Sequence, residues 1–420
     1  MQTINPSRLI NRMTAVLAVL AIGSSFSSPA PGGSLTETRE LMPLLSSATV
    51  GAATVGAPTS ANGRNSSYPC NGTTRGYNAI VIKSGSVWTV THHGTRVAVT
   101  TDMYTAMEAG WNSLTPNRTT KESVLVQGSG DIAANVRKPI PNYTILNICG
   151  TINVTGVATG DYAPIYARDG HDIDIPNLRM TGNPVYGMLF RNVDRIRLGQ
   201  IHLQLSSSAK IGIRVDNKKS GGGTTKNQKL TIDYVYGSGM ASHVVETYGI
   251  NDIAIGRVEA SNIGECGILL NNSTNVNVAV VRCNNCGAGT GYAAFRIANT
   301  AGLIDGAYPT NIRVGRVEAS GGGRGVFCVS GSGGLVIESV VLSNTGNSSI
   351  LVENCNNVTI AARSGLVNGG GEIRIAGAST NVTLQNLTVN STTVRERPCS
   401  VNTIVRNVNL VGGATMSICQ

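Results

Sequence analysis

The 420-residue sequence has few charged residues, which make up 13% of it, and few aromatic residues, which make up 4%. Helical bundles and coiled coils draw roughly half of their residues from Ala, Glu, Lys, Leu and Arg at helical spacing, so both are excluded. With 41% hydrophobic residues, the chain is also too apolar to be disordered. Its 51 glycines favour many short strands joined by tight turns.

Blocks of basic residues are missing too, although 33 basic against 23 acidic side chains give a net charge of +10. Nucleic-acid-binding proteins concentrate Lys and Arg in patches, whereas these bases are scattered singly. We therefore expect no nucleic-acid partner. An acidic polymer suits a diffuse positive charge.

Long apolar runs are absent apart from Met13–Ile22, which follows Arg8 and Arg12 and precedes small residues up to Ala30. Ten residues are too few to span a bilayer, so residues 1–30 are predicted to be a signal peptide. This predicts a secreted, extracellular protein with no membrane segment. Twelve N-x-[ST] sequons predict a glycoprotein if the source is eukaryotic.

The rest of the chain divides by composition and periodicity. An amphipathic stretch, Met103 to Trp111, follows Asp102 as a potential N-cap, which predicts a short capping helix. The predicted regions are a low-complexity linker or pro-segment (31–76), an N-terminal cap with the first coils (77–160), regular coils (161–390) and a C-terminal cap (391–420).

A repeat of two short alternating strands dominates the chain beyond residue 160. Its first strand recurs every 23 to 32 residues. The second begins at a turn that is often Asn, where stacked amides are expected to bond along the axis. The aligned apolar positions of the first strand are Ile165, Met188, Ile213, Val245, Ile268, Phe295, Val326, Ile350 and Ile373. The second strands begin at Asp172, Arg195, Lys229, Asp252, Asn275, Asn311, Gly334, Asn357 and Asn381.

A lone coil of this length cannot bury its apolar face, but stacked coils align their β-branched residues into a continuous core. The sequence therefore predicts an all-β fold, a single-stranded right-handed parallel β-helix with a short N-terminal capping helix. From about residue 77 to 420, the coil pattern, capping helix and Asn turns resemble the pectin-lyase-like superfamily. That resemblance implies a polysaccharide lyase or glycoside hydrolase. The polygalacturonase motifs are missing, with Gly170-His171-Asp172 as the nearest match, so no catalytic residue carries over.

The candidate site follows from the strand alternation, because residues next to an inward position face outward. Two outward columns bring several charged residues onto neighbouring coils. Insertions at 218–227, 284–292 and 300–309 are expected to form walls beside them. The predicted catalytic residues are Arg214, Glu246, Tyr248, Arg296 and His243, and the predicted substrate-binding residues are Arg168, Arg191, Asp216, Arg324, Tyr292 and Asn271.

The favoured chemistry is β-elimination on an acidic, uronic-acid-containing polysaccharide. Arg214 and Arg296 would clamp the carboxylate, Tyr248 or His243 would transfer protons, and Glu246 would orient one of them.

Three alternatives stay open at this point, the last of them an epimerase-like or unrecognised activity. An inverting hydrolase would use Asp216 and Glu246, which strand spacing places roughly 8 Å apart. A non-catalytic glycan-binding protein would use the same surface. We expect a monomer with no obligatory metal; calcium would be bound through Asp216, Glu246 or Asp169.

Nine cysteines suit an oxidising compartment. Cys283 and Cys286 lack a second Cys/His pair for zinc and are predicted to form a local disulfide or two separate ones. Other expected pairs are Cys70–Cys149, Cys328–Cys355 and Cys399–Cys419, which leaves Cys266 as a free, buried thiol.

Overall fold

Successive coils of the chain stack into a parallel β-solenoid of about 13 turns, with one short helix near its N-terminus. The computed structural model describes residues 68–225 and 229–419. The predicted fold class is confirmed. The predicted signal peptide and most of the predicted linker lie outside the described residues. No helix among those residues is long and apolar enough to span a membrane.

The helix is α1 (Met103–Asn112). The strands that precede the regular coils are β1 (Ala79–Ser84), β2 (Val87–His92), β3 (Thr95–Thr100), β4 (Glu122–Gln127), β5 (Gly130–Ala133), β6 (Thr144–Ile148) and β7 (Thr151–Thr155). The strands of the regular coils are β8 (Ile165–Gly182), β9 (Tyr186–Leu205), β10 (Ile211–Asp216), β11 (Leu230–Ser238), β12 (Val245–Tyr248), β13 (Asn251–Ile263), β14 (Ile268–Asn271), β15 (Thr274–Cys286), β16 (Ala293–Ala298), β17 (Ile312–Ser320), β18 (Arg324–Cys328), β19 (Ser332–Ser343), β20 (Ser348–Glu353), β21 (Cys355–Asn368), β22 (Glu372–Ala376), β23 (Thr380–Asn390), β24 (Thr393–Glu396), β25 (Val401–Val411) and β26 (Thr415–Ser417).

The register of the ladder matches the repeat in the sequence. Ile213 pairs with Met188 on one side and Val245 on the other, and the same alignment continues through every first strand from β8 to β22. All nine aligned apolar positions are fully buried. Apolar side chains stacked in this way remove their neighbours from water along the whole axis, which is the main source of stability of the fold.

The turn before each second strand is also at the predicted place. Asn275, Asn357 and Asn381 have φ of 52°, 55° and 54°, a left-handed conformation that Asn tolerates better than most residues. The stacking of their amides is only partly as predicted. Asn275 donates to the side chain of Asn251 at 2.7 Å, whereas Asn357 donates to the carbonyl of Tyr308.

The helix covers the N-terminal end of the core, as predicted, and extends one residue past Trp111. The side chain of Asp102 accepts a hydrogen bond from the backbone N–H of Thr105 at 2.6 Å and so caps the first turn. Gly110 lets the helix approach β1 closely, since a Cβ atom there would lie 2.7 Å from Val81.

Strands and contacts extend to both ends of the described chain. Residues 68–76, assigned to the linker, lie against the coils, where the Tyr68 carbonyl accepts a hydrogen bond from Asn177 at 2.9 Å. Residues 391–419, assigned to a cap, continue the ladder, because β24 pairs in parallel with β22 and β25 with β23.

The cysteine pairs are those predicted. Disulfides join Cys70 to Cys149, Cys328 to Cys355 and Cys399 to Cys419, and a fourth joins Cys283 to Cys286. Cys266 is free and buried.

Candidate functional site

The two predicted outward columns form one face of the ladder. The first runs through Tyr166, Leu189, Arg214, Glu246, Leu269, Arg296 and Phe327 on successive rungs. The second runs through Arg168, Arg191, Asp216, Tyr248, Asn271 and Ala298. Outward does not mean exposed on this face, however. Leu189, Arg191, Asp216, Glu246 and Asn271 are buried, because neighbouring side chains cover them.

One group of charged residues, which we call the ion-pair cluster, consists of Asp161, Arg191, Arg214, Asp216 and Glu246. Arg214 joins two carboxylates, with its Nε 3.1 Å from Asp216 Oδ2 and its Nη1 2.5 Å from Glu246 Oε2. Arg191 contacts Asp216 at 3.1 Å and also pairs with Asp161. The Asp216 and Glu246 side chains are 4% and 8% exposed, so these charges are compensated within the protein rather than by water.

The cluster holds three carboxylates and two guanidinium groups. Burial raises the pKa of Glu246, and although Arg214 opposes this effect, the nearby charge of Asp216 adds to it. Burial alone would lower the pKa of Arg214, but Glu246 and Asp216 outweigh it and raise that pKa. Glu246 also accepts a hydrogen bond from Asn271 at 3.0 Å. Both of its carboxylate oxygens therefore have donors in the protein.

His243 lies beside the cluster and is buried, contrary to a role in contact with substrate. Its Nδ1 accepts a hydrogen bond from the backbone N–H of Cys266 at 3.2 Å, which assigns the proton to Nε2, 3.1 Å from Glu265. Burial, with help from Arg296 and Arg214, lowers its pKa to about 3. The imidazole is therefore neutral with both nitrogens engaged, and the predicted proton-transfer role does not fit its geometry.

A second group, which we call the cationic shelf, consists of Tyr292, Arg296, Arg324 and Phe327. The Arg296 guanidinium carbon lies 4.7 Å from the ring centre of Tyr292 and 4.9 Å from that of Phe327. Arg324 lies 4.6 Å from the Phe327 ring. Arginine side chains stacked in this way are attracted to the electron-rich ring faces and held in place by them.

The two arginines of the shelf lack the compensation found in the cluster. Within residues 68–225 and 229–419, neither forms an ion pair, and the Nε of each is buried without a hydrogen-bond acceptor. Burial and the positive charge of Arg296 lower the pKa of Arg324, and Glu353 offsets this only in part. Arg324 does donate to the carbonyl of Gly291. The shelf therefore carries surplus positive charge.

Two predicted residues of this face remain, Arg168 and Tyr248. Arg168 donates to Ser220 at 3.0 Å, so the insertion after β10 folds onto it. Residues 226 and 227 of that insertion lie outside the described residues. Tyr248 is 38% exposed, as a residue in contact with substrate requires. Sequence reasoning missed Asp161, which lies in a turn ahead of the aligned positions, and gave Phe327 no role although it was in the right column.

A metal ion has no prepared position in the part of the chain that the structure describes, where no three His, Cys, Asp or Glu side chains converge. Asp216 and Glu246 face arginines, and the Asp169 carboxylate accepts a hydrogen bond from the hydroxyl of Ser220. The three carboxylates proposed for calcium thus do not form one ligand set.

Comparison with known proteins adds one structural neighbour. No protein-family model matches the chain, and no curated protein matches it. A similar solved structure is the A-module of the mannuronan C-5 epimerase AlgE6 from Azotobacter vinelandii, with 13% sequence identity and a TM-score of 0.37 over 75% of this chain and 94% of that chain. This level of likeness assigns no chemistry, which depends on the side chains of this chain.

Proposed function

We propose that the protein cleaves an acidic, uronic-acid-containing polysaccharide by β-elimination at the cationic shelf. The observation that carries the proposal is the pair Arg296 and Arg324, both stacked on Phe327 and neither ion-paired among the described residues. Two like charges held this close repel each other, and a bound anion removes the repulsion. A uronate carboxylate has two oxygens that match the guanidinium fork.

The positions of the carboxylates favour elimination over hydrolysis. An inverting hydrolase needs one carboxyl group to protonate the glycosidic oxygen and another to activate water. Asp216 and Glu246 are buried and share the guanidinium of Arg214. Asp161, the partly exposed carboxylate of the cluster, is paired with Arg191. Guanidiniums and phenols also reach solvent on this face, and the guanidiniums without an ion-pair partner suit an anionic substrate.

In the proposed reaction, the uronate carboxylate binds Arg296 and Arg324, whose charge makes the adjacent ring proton more acidic. A base removes this proton, and its bonding electrons form a carbon–carbon double bond. The bond to the glycosidic oxygen breaks, and that oxygen leaves with its electron pair and takes up a proton. We assign proton transfer to Tyr292, which lies against Arg296, and to Tyr248, the exposed phenol of the second column.

The test is a substrate screen with two readouts. Purified protein is incubated with pectate, alginate, glucuronan, glycosaminoglycans and a neutral glucan. Elimination produces an unsaturated uronide that absorbs near-ultraviolet light, together with new reducing ends. We expect both signals on at least one acidic polymer and neither on the glucan. Reducing ends without absorbance would mean hydrolysis and would overturn the proposed chemistry.

Glycan binding without cleavage is the second candidate, and the engagement of both His243 nitrogens favours it. A binding protein would be retarded in a gel that contains its polymer and would release no product. We also propose that the protein works outside the cytoplasm, because its disulfides are typical of an oxidising compartment. Recovery of the protein from culture medium of its source tests that location.

A further inference from the structure

Cation–π contacts of arginine occur at two places among the described residues, and the second is far from the cationic shelf. Arg137 lies 5.8 Å from the ring centre of Tyr162 and 5.5 Å from that of Tyr166. Its side chain is exposed, forms no ion pair within the described chain and donates to the Asp161 carbonyl at 2.9 Å. The arrangement resembles that of Arg296, which is also stacked between two rings without an ion-pair partner.

Both arginines lie on the same face of the solenoid. Tyr166, under Arg137, belongs to the outward column that continues to Arg296, five rungs away. Five rungs at the usual strand spacing amount to about 24 Å. A linear polymer laid along this column would therefore meet an arginine without an ion-pair partner among the described residues at both ends.

The surface between these two ends carries no surplus positive charge, because the ion-pair cluster holds three carboxylates and two guanidiniums. Arg214 is the partly exposed guanidinium of this middle part, and Asp216 and Glu246 compensate it. At the Arg137 end, a concavity of about 470 Å³ opens beside α1. Its lining includes Arg137, Tyr162 and Lys138, and Lys138 is already paired with Glu108 at 3.5 Å. Arg137 is thus the group there that can receive an anion without losing an ion-pair partner.

We propose that Arg137, stacked on Tyr162 and Tyr166, is a second carboxylate-binding subsite that holds a distant unit of the polymer bound at the cationic shelf. This inference rests on the proposed function, because it requires a uronate polymer as ligand. Two linked contacts strengthen binding only for a ligand long enough to reach both. The subsite therefore makes the protein prefer long chains.

The test compares uronate polymer with a size series of its oligomers, from disaccharide upward. Wild type, Arg137→Ala and the control Arg179→Ala are assayed for kcat/KM and for binding by affinity electrophoresis. Arg179 is exposed where β8 pairs with β7, away from the two outward columns, so its removal controls for loss of one positive charge. We expect Arg137→Ala to lower kcat/KM on polymer about fivefold, equal to one stacked, charge-assisted contact. Oligomers too short to span the two sites should be unaffected, as should the control on every substrate.

Equal losses on polymer and disaccharide, or no loss on polymer, would overturn the subsite while leaving the proposed function intact. A wild-type protein that neither binds nor cleaves any uronate polymer would overturn both. Arg137 is exposed, so its replacement should leave the thermal midpoint at the value of the control.

Discussion

The ion-pair cluster and the cationic shelf use the same residue type in the same column of the same ladder, yet their arginines are in opposite electrostatic states. Arg214 touches two carboxylates, whereas Arg296, three rungs along, touches two aromatic rings and no described carboxylate. The compensated charge of Arg214 stabilises the folded structure, whereas the uncompensated charge of Arg296 can bind an anionic ligand. The groups that an arginine contacts, rather than its position in the ladder, determine whether its role is structural or in binding.

Removal of the shelf arginines should have the largest effect on activity. Arg296→Ala and Arg324→Ala are each expected to lower kcat/KM on the uronate polymer by roughly a hundredfold, because each removes charge stabilisation from the transition state. Unfolding midpoints should stay close to wild type, since neither side chain compensates a buried carboxylate. Absorbance kinetics and chemical denaturation measure the two effects. Full activity in either variant would remove the shelf as the reaction site.

Removal of Arg214 should act on stability instead. Arg214→Ala leaves Asp216 and Glu246 buried with less positive charge, and we expect the free energy of unfolding to fall by about 3 kcal/mol. Urea denaturation at neutral pH measures this. If the variant is as stable as wild type but inactive, Arg214 has a binding or catalytic role like the arginines of the shelf, and the proposed difference between the two groups is wrong.

His243, between the two groups, should make stability depend on pH. Its folded-state pKa, about 3, is below the ordinary value of 6.5. Above pH 6.5 the His243 imidazole is neutral in both the folded and the unfolded chain, so its contribution to stability is fully present there. As pH falls from 6.5 towards 3, the unfolded chain binds a proton that the folded chain excludes, and stability is lost. At pH 5 the loss is about 2 kcal/mol.

Denaturation of wild type and His243→Gln at pH 7 and pH 5 isolates this effect. The free energy of unfolding should fall between pH 7 and pH 5 by about 2 kcal/mol less in the variant than in wild type. An unchanged difference would mean that His243 is protonated in the folded protein.

An exposed ion pair between β15 and β17, outside the ladder that carries the cluster, provides the smallest expected effect and a control for the cluster. Arg282 contacts Glu318 at 2.5 Å, but its side chain is 50% exposed. Arg282→Ala should cost under about 1 kcal/mol, because water solvates both partners when the pair is broken. If it costs as much as Arg214→Ala in the same urea experiment, burial is not what distinguishes the ion-pair cluster.

The sequence predicted the ladder well because an inward position in a stacked coil accepts few residue types. Ile213, Val245 and Ile268 repeat closely enough to set the register, and the outward columns follow from alternation. The site was predicted less completely. Arg214 and Arg296 have the same pattern and are predicted to have the same role, since pairing depends on which side chains turn towards each arginine from its own and neighbouring coils. No sequence pattern predicted that Asp161 belongs to this face, because it lies in a turn outside the repeat.

The sequence by itself determined the solenoid, its register, its N-terminal helix and the face on which the charged residues gather, because local alternation and repeat length dictate these features. Tertiary structure alone decided which charges on that face cancel. The reason is that compensation depends on distances of a few ångströms between side chains, most of them 25 to 32 residues apart, and on the burial that strengthens each interaction. Carboxylates of the protein compensate Arg191 and Arg214, whereas Arg296, Arg324 and Arg137 have no ion-pair partner among the described residues.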